Sequence, residues 1–285
     1  MSDYLVWLLG DDLGRDKLVL LVVLMLSLSV VSAQLRWRLR QSPKVQRAGG
    51  QGRGWARRWL GACWQLCLSL GIPLGVLMRG ALVREMGVPF TLVEPAGSTA
   101  TEGGWAWPWL ARGLAWMELS DAQGVVRLGA GLAVGFGALL VLGAVWVWYA
   151  RAVLAPEGLA FEVLSAVPWW DALRQALLAQ IPWAFYRGFA LSVVPDRAQA
   201  ALLGLALISI PWALDPQHRR DLFAPRGYRV VLEWLLALST VLVSLATNQL
   251  WFLVAMHGLW VWFSGRLLAH LAERFLGEAA SATAS

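Results

Sequence analysis

Leu128–Ala150 reads LGAGLAVGFGALLVLGAVWVWYA, a run without a charged residue, bounded by Arg127 and Arg151. A helix of roughly 17–25 apolar residues spans the hydrocarbon of a bilayer. It does so as a helix because no water is present there to satisfy unpaired backbone groups. The composition extends this reading to the whole chain. Of 285 residues, 58% are hydrophobic and 15% charged, against about 45–50% and about 25% in a soluble domain. Mean hydropathy is +0.57. So few charges cannot cover a soluble surface of this size. The expected fold class is all-α: a polytopic membrane helix bundle of about seven transmembrane helices plus one interfacial helix. The lipid bilayer is then its first partner.

Six further runs read as spans: Leu18–Ala33, Trp59–Met78, Asp171–Val194, Ala198–Leu214, Val230–Ala246 and Leu250–Leu267. Leu18–Ala33 could be a signal peptide, since Val31-Ser32-Ala33 ends in small residues. Asp11, Asp12 and Asp16 spoil the basic n-region, however, and Arg36, Arg38 and Arg40 follow directly. It reads as a retained span. Trp59–Met78 contains Gly71, Pro73 and Gly75, which packed neighbours tolerate within a membrane. Gly129, Gly131, Gly135 and Gly137 give the Leu128–Ala150 span a small face for close packing. Trp105–Leu119, rich in tryptophan but punctuated by Pro108 and Arg112, reads as the interfacial helix. Most of the nineteen tryptophans fall near span ends, as in an aromatic belt.

Three regions follow: residues 1–158, an N-terminal membrane region with three spans; residues 159–275, a four-helix core; and residues 276–285, an Ala/Ser-rich flexible tail. The first region includes a basic loop over 34–58 and an extracytoplasmic segment over 79–127.

Net charge is +6. The excess concentrates in Gln34–Arg58, with eight basic residues and no acid. That is a topology signal facing anionic lipid rather than a nucleic-acid site. It places this loop in the cytoplasm and the N-terminus outside. Alternation then puts Asp215–Arg229, with Arg219, Arg220, Arg226 and Arg229, inside, together with the C-terminus. The implied location is a bacterial inner membrane.

Few groups offer chemistry. Cys63 and Cys67 read as small buried apolar residues, with no metal-ligand set around them. No phosphate loop, HExxH, GxSxG or CxxC is present, and no cofactor or metal is expected. Arg187 and His257 each lie about seven residues, roughly 10 Å, from the outer end of their spans. Ionisable groups at that depth are functional candidates, and the two could face one cavity. A structural pair for Arg187 and a hydrogen-bonded neutral imidazole for His257 are the plain alternatives. Glu233, one turn into its span, reads as reaching Arg229 or water. His218 and His270 read as solvated at the cytoplasmic side.

Ala246-Thr247-Asn248-Gln249-Leu250-Trp251 followed by His257 resembles the last motif-bearing helix of the CPBP family, the CAAX prenyl and bacteriocin-processing intramembrane proteases. There, a polar turn with Thr and Asn precedes Leu-Trp, and a histidine opens an HxxxN motif. Phe185-Tyr186-Arg187-Gly188-Phe189 resembles the end of that family's EExxxRG motif. The resemblance covers roughly residues 160–270. It implies a helical membrane core with a water-activating glutamate. That glutamate is absent here: counting back from Arg187, the two acidic positions hold Pro182 and Trp183. The histidine of the family's FxxxH motif aligns with Trp212, and the asparagine of HxxxN with Val261. His257 and Arg187 are the remnants, and no catalytic set is intact.

Hydrolysis needs a base to deprotonate water, and neither proline nor tryptophan is one. The leading expectation is therefore a catalytically inactive CPBP-like protein. Its old cavity would be filled by Trp183 and Trp212. It would work by binding, as a scaffold, assembly or stabilising factor for a membrane-protein partner. The glycine face and the Trp105–Leu119 segment would be its contact surfaces. The alternative is a divergent active CAAX-type intramembrane protease using His257. A transporter ranks third, since few polar residues line any path.

Overall fold

The computed structural model describes residues 14–41, 67–78, 82, 85–88, 122–149, 151, 167–222 and 227–284. Every regular element among them is helical. In chain order they are α1 (Arg15–Gln41), a π turn (Cys67–Gly71) leading into α2 (Ile72–Met78), α3 (Ala122–Tyr149), α4 (Trp169–Val193), α5 (Arg197–Leu214), α6 (Pro216–Leu222), α7 (Gly227–Ala246) and α8 (Leu250–Ala284). The protein is an α-helical membrane bundle. Four stretches are long and apolar enough to cross a bilayer: Arg15–Arg38, Ala122–Trp148, Arg197–Leu214 and Leu250–Leu271. Val230–Ala246 is a shorter apolar helix. Lipid-facing side chains such as Val126, Leu140 and Leu202 are correspondingly exposed.

α4 holds the centre. At 25 residues it is about 37 Å long, but Asp171, Arg174, Gln175, Gln180 and Arg187 lower its hydropathy. It is shielded instead, packing most extensively against α8 and α5, with α1 also in contact. From Trp183 to Ala190 every residue is buried. Two glycines permit this closeness. A Cβ on Gly204 of α5 would lie 3.1 Å from Arg187 Cγ, and one on Gly188 would lie 3.0 Å from Met86 Cγ.

α3 closes the other side of the bundle. A Cβ at Gly131 would meet Thr247, and one at Gly135 would meet Met256. The Trp260 indole N–H donates to Gly135 O at 3.2 Å. So the glycine face expected to serve a partner is half occupied by α8; Gly129 and Gly137 still face open space.

The helix ends mark two poles. At one, Gln34 Nε2 donates to Leu214 O at 3.1 Å, and the Arg220 guanidinium sits 5.9 Å from the Trp37 ring centroid. At the other, Arg15 Nη2 donates to Ser192 O at 3.3 Å. α1 thus runs antiparallel to α4 and parallel to α5. The first pole carries Arg36, Arg38, Arg219 and Arg220 and is the basic pole.

Several boundaries differ from the sequence reading. The basic loop begins helically, since α1 continues to Gln41, and α3 begins at Ala122, inside the segment read as extracytoplasmic. The tail read as frayed is helical to Ala284, because alanine is the strongest helix former. Only the end of the Trp59–Met78 span is described. There Pro73 lacks the N–H that an α turn back to Ser69 requires, and the chain takes a π turn just before it. Cys67 is exposed rather than buried. Cys63, the interfacial Trp105–Leu119 segment and most of loop 34–58 lie outside the described residues.

Residues 85–88 dock on the α7–α8 turn. Leu250 N–H donates to Gly87 O at 3.0 Å, and Asn248 Nδ2 donates to Glu85 O at 2.6 Å. Gly87 has φ 73°, and a Cβ there would fall on the Asn248 carbonyl. Gly87→Ala is expected to destabilise the protein by at least about 2 kcal/mol, from left-handed strain and steric overlap. Gly129→Ala, in open helical space, should be neutral or slightly stabilising. Thermal melts of the detergent-solubilised variants measure both.

Candidate functional site

Gln180, Trp183 and Arg187 lie three and seven positions apart, on one stripe of α4. Thr240 of α7 and His257 of α8 face that stripe. Gln180 is fully buried, Thr240 likewise, and Arg187 and His257 nearly so. The Gln180 amide joins them. Arg187 Nη1 and Nη2 each donate toward Gln180 Oε1 at 3.5 Å. Gln180 Nε2 donates to Thr240 Oγ1 at 3.2 Å and meets His257 Nδ1 at 2.7 Å. Thr240 Oγ1 in turn donates to Leu236 O at 2.7 Å. The amide's orientation follows from its neighbours: a guanidinium has only donors, so it faces the oxygen, leaving the NH2 for Thr240 and His257. His257 Nδ1 therefore accepts, and the ring proton sits on Nε2.

The histidine and arginine singled out by sequence are thus brought together through Gln180. His257 lies at the level of Gln180 and Trp183, facing α4, and Arg187 reaches back toward it from about two turns away. No Asp or Glu oxygen is bonded to His257 among the described residues. No group of three or more His, Cys, Asp or Glu is placed to hold a metal among them.

The substituted positions surround this hub. The Trp183 ring packs on the His257 ring with centroids 5.1 Å apart, and it meets Trp212 edge-on at 5.8 Å. Trp212 contacts Trp234 at 5.3 Å and stacks on His218 at 5.6 Å. A continuous file of rings fills the space from His257 toward the basic pole. Pro182 lies within α4, which continues through it. Val261, one turn beyond His257, packs against the apolar cluster of Trp146, Leu253 and Trp260.

On the opposite side of the hub lies a cavity of about 330 Å³, lined by Glu85, Arg127, Arg187, Arg197 and the Thr247–Gln249 turn. Arg187 is the residue common to hub and cavity. Its Nε has no hydrogen-bond partner.

The basic pole differs from its expected solvation. His218 is tucked against Trp212, and its Nδ1 lies 3.6 Å from Glu233 Oε2. Glu233, half exposed, thus meets His218 as well as solvent. Burial pushes the His218 imidazole below its usual 6.5, with Asp215 and Asp221 pulling the other way. The Glu233 carboxylate also favours the charged ring, but it is 52% exposed and screened by water, so burial wins. Arg174 pairs with Asp171 at 3.2 Å on the surface, and His270 is exposed.

Sequence reasoning passed over Gln180 and Thr240. Both are uncharged, so a search for intramembrane charge does not flag them. The available signal was the spacing of Gln180 about two helical turns before Arg187 within an otherwise apolar stretch. No family model matches the chain, and no curated protein or solved structure matches it either.

Thr240→Val removes two neutral bonds, the one accepted from Gln180 Nε2 and the one donated to Leu236 O, and should lower stability by about 0.5–1.5 kcal/mol. Gln180→Leu leaves a buried guanidinium without an acceptor and should lower it by about 2–4 kcal/mol. Adding Arg187→Met to Gln180→Leu should restore part of the loss, as removing both partners relieves the buried charge. Chemical unfolding in detergent reads all three; a double variant no better than Gln180→Leu would show that Gln180 does not hold the charge. His218 gives a pH dependence. Its folded state takes a proton less readily than the unfolded chain, so stability is full above about pH 6.5 and falls as the pH drops below it. His218→Gln should flatten melting temperature across that range.

Proposed function

We propose that this chain is an integral membrane binding protein on a CPBP-like helical frame whose hydrolytic groups have been replaced. It holds, stabilises or assembles a membrane-protein partner. The observation that carries this reading is the 2.7 Å contact between Gln180 Nε2 and His257 Nδ1. An amide and an indole stand against the imidazole where a hydrolase needs a carboxylate. A neutral amide accepts no proton near neutral pH, so the side chain bonded to His257 Nδ1 cannot activate water. On this reading the rings of Trp183 and Trp212 are a structural plug, and His257 is one of its packing elements.

The two poles support an orientation. On this reading the basic pole is cytoplasmic, in keeping with the charge bias of membrane proteins, with the N-terminus outside and the C-terminus inside a bacterial inner membrane. α8 has 35 residues, about 52 Å, so its end projects beyond the bilayer on the cytoplasmic side. The partner meets the lipid-facing side of α3, where Gly129 and Gly137 are open and Leu140 and Trp148 are exposed.

Purified protein incubated with prenylated and unprenylated peptides should show no turnover. Turnover that disappears in His257→Ala would overturn the binding role in favour of a hydrolase. His257→Ala should instead lower stability or partner retention by about 1–3 kcal/mol, read from melts and co-purification. Reporter fusions at Ser2 and Ser285 should report opposite sides of the membrane.

A further inference from the structure

We infer that the cavity beside the hub is a binding site for a phosphate group, seated on the buried Arg187 guanidinium. The site does not depend on the binding role proposed above, and its failure would leave that role standing.

The first observation is a charge without a counter-charge. Arg187 is 2% exposed, and a guanidinium stays charged in any protein setting. In a membrane bundle such a charge normally pairs with a carboxylate or faces a water-filled space. Here its only acceptor among the described residues is the neutral Gln180 Oε1, at 3.5 Å from both Nη atoms. Its Nε has none. Among the described residues no carboxylate comes within ion-pair distance of it.

The second observation is that the cavity it lines is charged in the same sense. Arg127 and Arg197 line it from the first turns of α3 and α5, and Glu85 is its one acidic lining residue among the described residues. Neither arginine is ion-paired among the described residues. Two net positive charges therefore converge on a space of about 330 Å³, the lower end of the range for small-ligand sites, roughly 300–1,000 Å³.

Phosphate fits this arrangement better than a carboxylate. A phosphate monoester carries about −1.5 to −2 charges at neutral pH, matching the excess. Its several oxygens can engage more than one arginine fork, whereas a carboxylate offers two oxygens in one plane. The opening lies at the pole opposite the basic one, near the level where lipid headgroups sit. A soluble phosphate monoester supplies the full match, and an anionic phospholipid headgroup, a phosphodiester with one charge, supplies the same oxygens with a weaker charge match.

The test uses the full chain in an uncharged maltoside detergent. Binding is read as a melting-temperature shift and as a Kd by calorimetry. The probes are inorganic phosphate, acetate at equal ionic strength, and micelles doped with phosphatidylglycerol or phosphatidylcholine. Phosphate or phosphatidylglycerol should stabilise the protein, and acetate and phosphatidylcholine should not. A response to phosphatidylglycerol alone assigns the lipid source, and a response to inorganic phosphate assigns a soluble one. Arg187→Gln should abolish the response. Should that variant fail to fold, Arg127→Ala/Arg197→Ala decides, since both side chains are exposed. It should weaken Kd by at least about tenfold, the loss of one charge-assisted hydrogen bond or more. No response to either phosphate probe, an equal response to acetate or phosphatidylcholine, or an unchanged Kd in the exposed-pair variant would overturn the site.

Discussion

A guanidinium held inside a membrane bundle without a carboxylate is the constraint around which the rest is arranged. Arg187 can be kept there only if water is excluded on its packed sides and a dipole is turned toward it. Gly204 and Gly188 meet the first condition by letting α5 and residues 85–88 press against its helix. Gln180 meets the second. Because the amide oxygen faces the arginine, its nitrogen must find acceptors elsewhere. Those acceptors come from α7 and α8, so one side chain ties three helices in register. In a bilayer, where the hydrophobic effect does not drive helices together, packing and such hydrogen bonds are the available means.

The same constraint explains why α4 looks least like a membrane helix in sequence while lying deepest in the bundle. Hydropathy measures compatibility with lipid, and α4 scarcely meets lipid along Trp183–Ala190. Its polar residues are affordable because its neighbours present the apolar surface on its behalf. α3 shows the reverse case, with clean hydropathy and many exposed aliphatic side chains.

This contrast separates what was legible in the sequence from what was not. An apolar run declares itself whatever its neighbours are, so the helical membrane class and helices such as α1, α3 and α8 could be read directly. Arg187 and His257 could be flagged because a buried charge or imidazole is rare enough to stand out. The link between them could not, since an amide's role depends on what faces it, and that is decided by helix rotation. That Trp183 fills space is legible from its size, but that its indole packs on the imidazole while the imidazole bonds to Gln180 is not. His218 was read as solvated because its local sequence is polar; its stacking on Trp212 comes from the turn of α6 back against α5. The docking of Gly87 on the α7–α8 turn joins residues far apart in the chain, and no local pattern announces it.

The hub is also asymmetric along the membrane normal. Toward the basic pole, His257, Trp183, Trp212 and His218 form a file of rings in mutual contact. Toward the other pole, Arg187 opens onto space bordered by two more arginines. A polar molecule approaching from that side meets the guanidinium before it could meet the imidazole, and the ring file blocks it from going further. The arrangement therefore suits capture at one face better than passage through, and a ligand there would act on the bundle through Gln180, whose oxygen shares Arg187 with the cavity. Any pull on the guanidinium would be felt by α7 and α8 through the two bonds of the amide nitrogen, which makes Gln180 the element through which occupancy at one pole could bias the packing of the whole core.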